Sequence, residues 1–343
     1  MTLGCGAAIL GCEGPTLSQA EARFFREADP FGFILFARNV ETPRQVRRLT
    51  EDLRNAVGRQ APVFVDQEGG RVQRLRAPHW ADWSPVLDMV QTGMAGAGGP
   101  EAARRAVWLR YRLIAGELLA VGIDANCAPV LDIAGALTHP VLRNRCLAET
   151  AGLVAILGRA AAEGHLAGGV LPVIKHMPGQ GRATADSHKD LPHVATPRAE
   201  LEQTDFAPFR ALADLPMGMT AHVVFDEIDP DHPATTSPRM IGLIRDHIGF
   251  DGLLMTDDLS MQALSGTLGA RVTAAFAAGC DVALHCNGDL GEMAEVVSAA
   301  GRFAARAQAR ADRALALRAV HDSIDIAPLQ AELERLLNGR AHV

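Results

Sequence analysis

Eight times along this chain a short run of β-type apolar residues gives way to a longer amphipathic segment, and that alternation constrains the fold more than anything else. Parallel strands cannot be joined by tight turns; they need long crossovers, and helices fill that role. Candidate strands lie at residues 7–10, 32–36, 62–66, 122–126, 170–176, 216–221, 252–256 and 281–286. Helices are expected at 17–28, 43–57, 100–121, 149–167, 197–213, 238–248 and 261–278, with a last helical tract after Leu290. Thr42-Pro43, Thr196-Pro197 and Ser237-Pro238 each set an N-cap residue before a proline at the first helical position. Strand and helix alternating in this way predict a (β/α)8 barrel of the TIM type, with long loops at 67–99 and 128–148 on its active-site face.

The 343 residues would serve one large domain or two ordinary ones. No internal repeat, low-complexity tract or Pro/Ser-rich linker divides them, so one catalytic barrel over 1–343 is expected, with a helical tail from about residue 290. A hydrophobic share of 48% against 21% charged residues supplies a sizeable core and excludes a disordered or fibrous chain. The net charge of −7, without a basic stripe, argues against nucleic acid or an anionic membrane as partner. The Ala/Arg-rich stretch 302–318 reads as a solvated helix, and a nucleic-acid role for it is disfavoured because acidic residues and an apolar stripe interrupt its cations.

Six cysteines (Cys5, Cys12, Cys127, Cys146, Cys280 and Cys286) are scattered without a C-x-x-C pair and read as reduced thiols of a cytoplasmic protein. Ala8-Ile9-Leu10-Gly11-Cys12 resembles a lipoprotein cleavage site only faintly, since no Lys or Arg precedes it and its apolar run is too short. Nothing later approaches the roughly 20 apolar residues of a membrane span.

The stretch 170–191 concentrates the chemistry. An apolar strand runs into a loop that spends Pro178, Gly179 and Gly181 on backbone shape while carrying Lys175, His176, Asp186 and His188. Asp186 and His188 stand two apart, so in an extended segment they share a side. The carboxylate would hold the imidazole's tautomer and raise its pKa, giving an acid/base pair; the plainer reading is a turn-capping Asp beside an idle His. Taken to the strand ends, the barrel gathers Arg38, Asp66 with Glu68, Asn126, Lys175 with His176, His222, Asp257 with Asp258, and Asn287. Asp257 at the lip of strand seven suits a nucleophile or charge stabiliser, and Asp258 suits capping of the next helix. No cluster has metal-ligand spacing, so neither metal nor cofactor is expected.

These residues resemble a known family. Lys175-His176-Met177-Pro178-Gly179-Gln180-Gly181 followed by Asp186-Ser187-His188 is similar to the K-H-F-P-G-H-G and D-S-H signature of family 3 glycoside hydrolases, in particular the single-domain bacterial β-N-acetylglucosaminidases of cell-wall recycling. Asp66-Gln67-Glu68-Gly69-Gly70-Arg71-Val72-Gln73-Arg74, Ala128-Pro129-Val130-Leu131-Asp132 and Thr256-Asp257-Asp258-Leu259-Ser260-Met261 agree in family order. The resemblance implies a retaining mechanism: Asp257 as nucleophile of a covalent glycosyl-enzyme, and His188 paired with Asp186 as acid/base on a mobile loop. It also implies a sugar held by Asp66, Arg74, Arg145, Lys175 and His176. The expected partner is a small saccharide or muropeptide, and the expected enzyme a monomer.

Two departures stand out. Gln180 and Met177 replace the family's second histidine and phenylalanine, and Arg145 sits in a segment matching only loosely, where a solvent-facing arginine would fit as well. His176 and His222 after strands five and six also resemble metal-dependent amidohydrolases, but no H-x-H follows the first strand and strand eight ends near Asn287 rather than an aspartate ligand. A non-catalytic sugar-binding barrel would have no use for the Asp186 and His188 pair. The aglycone, GlcNAc against GalNAc preference, and hydrolysis against transfer to phosphate stay open.

Overall fold

All eight apolar runs form strands, and the strands close into a parallel barrel. The computed structural model describes residues 6–96, 98–136, 138–183, 191–319 and 325–337. The barrel strands are β1 (Gly6–Gly11), β2 (Pro30–Leu35), β3 (Val63–Val65), β4 (Ala125–Asn126), β5 (Leu171–Met177), β6 (Met217–Thr220), β7 (Leu253–Asp258) and β8 (Val282–His285). Each pairs with its sequence neighbour, and β8 returns to β1 through Ala283 opposite Ala8 and His285 opposite Leu10. The chain is therefore a (β/α)8 barrel, as its alternation predicts.

Period-2 alternation sorts the strand residues into two cores. Ile9, Phe64, Leu171, Val173, Met217, Met219, Leu253, Met255, Val282 and Leu284 fill the barrel interior, while Leu10, Phe33, Val63, Val65, Ile174 and Leu254 pack against the helices. Continuing the inward series past the apolar residues gives Asp66 after Phe64, Lys175 after Val173, Asp257 after Met255 and Cys286 after Leu284. The alternation that fills the core thus aims polar side chains into the mouth above it.

Helix starts follow the expected signals at Pro43–Val57 and Pro238–Asp246, where Thr42 and Ser237 accept from the amides of Gln45 and Met240. The segment 197–213 divides instead into Arg198–Gln203 and Ala207–Ala211, because Thr204 leaves helical geometry and Asp205 turns its carboxylate 2.7 Å from Nε of Arg182. The helix expected from 261 begins at Leu268. Gly266 takes a positive φ of 83° and Thr267 caps the helix through the amide of Ala270.

The Arg-rich stretch is helical at Ala305–Ala316 but not a solvated element. Ala311, Ala314 and Leu315 are buried with the barrel core, Arg310 reaches Asp251 and Asp281 at 2.8 and 2.9 Å, and Arg318 beyond the helix reaches Asp124 at 2.8 Å. These acids precede strands, so the helix closes the N-terminal end of the barrel. On the opposite side, His193–Val194, Val224–Phe225 and Asp229–Pro233 form a small sheet unforeseen from the sequence. It ties down the chain where it returns after residue 190, with the Val224 amide donating to the Pro192 carbonyl. No helix among the described residues is long and apolar enough to cross a membrane.

Candidate active site

A cavity of about 300 Å³ opens at the C-terminal ends of the strands, lined by Phe36, Asp66, Arg74, Arg145, Lys175, His176, Gln180, Asp257 and Asp258 among others. Asp66, Lys175 and Asp257 reach it by alternation. His176 and Asp258 reach it because the strand registers shift, between Ile174 and Met177 on β5 and between Met255 and Asp258 on β7, re-aiming a residue that would otherwise face outward.

One wall is a continuous chain of opposite charges. Arg74 Nη2 stands 3.1 Å from Asp66, whose other oxygen lies 2.8 Å from Nζ of Lys175; the same ammonium is 2.6 Å from Glu68. Glu68 takes two parallel bonds from Arg145, both 2.9 Å, and Arg145 Nη2 is 3.3 Å from Nε2 of His176. His176 Nδ1 then lies 2.7 Å from Asp132. The fork of a guanidinium matches a carboxylate edge to edge, so the Glu68–Arg145 pair fixes Arg145 with little freedom left.

Burial opposes ionisation here, and the partners prevail. Desolvation would raise the Asp66 carboxyl, but Lys175 and Arg74 hold it well below the usual range. Glu68 is likewise lowered, to about 2, as Arg145 and Lys175 outweigh its burial. Lys175 would lose its proton on burial, yet Asp66 and Glu68 raise it instead. Asp257 is pushed up by desolvation and more strongly down by His222, His176 and the amide of Asp258, so it stays ionised. Asp257 accepts from the Asp258 amide at 2.8 Å and, among the described residues, from no other group, opposite groups suited to hydroxyls.

The remaining strand-end residues do other work. Asp258 accepts from the amide and hydroxyl of Ser260 and from the Cys286 amide, capping a turn and tying β7 to β8 rather than capping a helix. His222 engages Thr235 and the Asp258 carbonyl, beneath Asp257. Asn126 is buried against Gln67 and His165, Arg38 binds the carbonyls of Cys12 and Cys286, and Asn287 bonds Glu292 on the surface. Arg145, which the sequence left open as a solvent-facing arginine, lies in the cavity with its side chain 10% exposed.

Glu68 and Asp132 were present in the motifs without a role; their signal was an acid placed beside a strand end already holding a cation or imidazole. Gly69 explains the shape of the β3 loop: at φ 100°, a Cβ there would fall 1.8 Å from Nη2 of Arg110, whose buried guanidinium holds the carbonyls of Glu68 and Ser84. Asp186 and His188 lie outside the described residues.

Residues 16–317 match the glycosyl hydrolase family 3 N-terminal domain. The chain belongs to glycosyl hydrolase family 3. A Bordetella parapertussis protein named beta-hexosaminidase is 37% identical over 287 residues, 82% of this chain and 80% of that protein. Among solved structures, Neisseria gonorrhoeae NagZ in complex with N-trifluoroacetyl-D-glucosamine superposes with a TM-score of 0.86 at 29% identity, covering 98% of this chain and 99% of that one. A family 3 beta-N-acetylglucosaminidase from Paenibacillus sp. str. FPU-7 superposes with a TM-score of 0.85 at 30% identity; 96% of this chain spans 66% of that longer one. The chain is a glycoside hydrolase.

Proposed function

We propose that this glycoside hydrolase is a retaining exo-β-N-acetylglucosaminidase of peptidoglycan recycling. It removes terminal GlcNAc from cell-wall fragments such as GlcNAc-1,6-anhydro-MurNAc and its peptides, as a cytoplasmic monomer without metal or cofactor. The observation that carries the reading is the ionised carboxylate of Asp257 on the inward face of β7, across a small cavity from Asp66, Arg74, Arg145, Lys175 and His176. A volume of about 300 Å³ stands at the lower end for ligand pockets and suits one sugar ring, hence removal from a chain end. The hexosaminidase names of the relatives and the glucosamine derivative held by the Neisseria gonorrhoeae protein support an N-acetylhexosamine.

In this reading Asp257 attacks the anomeric carbon while protonated His188 gives its proton to the departing oxygen, leaving a glycosyl ester on Asp257. The imidazole, now neutral and oriented by Asp186, takes a proton from water as that water opens the ester. Lys175 helps keep Asp257 ionised between turnovers. Hydrolysis of an aryl β-N-acetylglucosaminide against the matching β-glucoside, with NMR of the first-formed sugar, tests substrate and stereochemistry together. The β anomer of GlcNAc is expected first; an α anomer, or equal cleavage of the glucoside, overturns the reading.

A further inference from the structure

Asp132, His176 and Gln180 meet in a buried triangle at the edge of the sugar cavity, and their distances overdetermine one proton. Nδ1 of His176 stands 2.7 Å from Oδ2 of Asp132 and 2.9 Å from the Gln180 amide. On the other side of the ring, Nε2 lies 3.3 Å from Nη2 of Arg145. A guanidinium only donates, so Nε2 presents a lone pair and the ring proton sits on Nδ1, given to the carboxylate of Asp132.

A nitrogen that donates cannot also accept from an amide NH2. With Nε2 of Gln180 toward the ring, two donors meet and Oε1 is left buried without a partner among the described residues. Turning the amide by half a rotation removes the meeting of donors, because Oε1 then shares the Nδ1 proton with Asp132. Gln180 is held for this contact. Its own amide donates to Asp132 at 2.8 Å, and Gly179 before it adopts a φ of 129°. Gly181 after it lies so close to the 131–138 segment that a Cβ would fall 2.2 Å from the Ile133 carbonyl oxygen. The hydroxyl of Thr138 also donates to the Gly181 carbonyl. Both glycines of the loop thus serve to press Gln180 against Asp132.

We propose that Gln180 is a positioning residue for substrate binding. Its amide oxygen, together with Asp132, keeps the His176 proton on Nδ1, so that Nε2 keeps a lone pair to accept from Arg145 and holds that guanidinium at the cavity. An amide does this without titrating, and the tautomer therefore does not change with pH through this contact. The inference rests on the assignment of His176 to the sugar site, and its test separates the two.

The ring proton is read directly by long-range proton–nitrogen NMR of the unliganded enzyme, with His176 assigned by substitution. The wild type is expected to show Nδ1 protonated. Gln180→Leu is expected to show exchange between the two tautomers and a kcat/KM lower by about tenfold, chiefly through KM, the scale of one hydrogen bond. Gln180→His inserts a second titratable ring against Nδ1, and the tautomer read by NMR should become pH-dependent through this contact. Should Gln180→Leu fail to fold, Gln180→Met carries the same two readings. An unchanged tautomer in the apolar variant overturns the lock. A changed tautomer with unchanged KM overturns the role in binding and removes His176 from the sugar site.

Discussion

Lys175 holds its ammonium 2.6 Å from Oε1 of Glu68, and neither side chain is more than 3% exposed. Glu68 is thereby the hinge of the charged wall, with Lys175 on one oxygen and Arg145 on both. Removing one member of such a set strands the others as buried, uncompensated charge. Glu68→Gln should destabilise the fold by about 3–5 kcal/mol, read by urea unfolding near neutral pH. The pH dependence follows from the lowered carboxyl. Its folded pKa, about 2, lies below the unfolded value, so its stabilisation is present above the ordinary carboxylate range and is lost as pH falls toward 2. Wild type should therefore lose stability steeply on acidification, and Glu68→Gln should lose less over the same interval. Parallel curves for the two proteins would place the acid sensitivity elsewhere.

Asp257 is where a loss of chemistry should leave the fold untouched. It sits at the cavity mouth on a strand end, with the Asp258 amide its one hydrogen-bond partner among the described residues. Asp257→Asn should keep the melting temperature within a few degrees and lower kcat on the order of 10⁴-fold, the scale seen when a covalent nucleophile or its partner is removed. Because burial is outweighed by His222 and His176, the carboxyl ionises below its ordinary range. The acid limb of kcat/KM due to this group should accordingly lie below the ordinary carboxylate range, not above it. Turnover within tenfold of wild type would exclude Asp257 as nucleophile.

The difference between what could be read from the chain and what could not follows from range. Asp66, Lys175 and Asp257 were legible because each continues the alternation of its own strand past the last apolar residue, a local signal. His176 was placed at the site by its strand-end position and by the resemblance, not by alternation: it and Asp258 share the cavity through register shifts, which depend on the neighbouring strand and leave no local mark. The arginines of 302–318 read as solvated because their partners, Asp124, Asp251 and Asp281, lie far away in sequence and only the closed barrel brings them near. The break at Thr204 is of the same kind: Asp205 serves Arg182 from a different element.

His188 carries the acid/base assignment on its spacing from Asp186 and on the family to which the chain belongs. His188→Ala should slow substrates with poor leaving groups by orders of magnitude more than activated aryl glycosides, since an activated leaving group departs without a proton. Rates across a series of aryl N-acetylglucosaminides with different leaving-group pKa values measure this directly. Equal losses across the series would remove His188 as the proton donor.

Arg310 tests whether the Ala305–Ala316 helix is structural alone. It bonds Asp251 and Asp281 at the end of the barrel opposite the cavity, and Asp281 keeps Arg245 at 2.6 Å and the Leu254 amide at 2.9 Å when Arg310 is gone. Arg310→Ala should therefore cost about 1–3 kcal/mol, the range for hydrogen bonds to charged groups, rather than the larger loss of a stranded charge. kcat and KM should be unchanged at a temperature well below unfolding. A raised KM would show that the two ends of the barrel are coupled.

Gln67 decides how Asp66 and Arg74 come to face one another although they stand eight positions apart. Its amide oxygen accepts from the backbone of Arg74 and Leu75 at 2.9 and 3.1 Å, and its amide nitrogen donates to the Leu75 carbonyl at 2.8 Å, closing the loop after β3. Behind it, Asn126 accepts from the Gln67 backbone amide and donates to Nε2 of His165, whose Nδ1 donates to the Ala161 carbonyl. Burial lowers the His165 pKa to about 3, so this relay keeps its proton pattern across the working pH range. Replacing Gln67 by Leu keeps the volume but opens three bonds. The loop then loses its closure, Arg74 leaves the carboxylate that aims it, and the cavity loses a preorganised cation while Asp257 is untouched. KM should rise about tenfold or more with kcat reduced far less, together with a stability loss of about 1–3 kcal/mol. A variant that loses kcat while keeping KM would mean that the loop shapes the transition state and not the binding of the sugar.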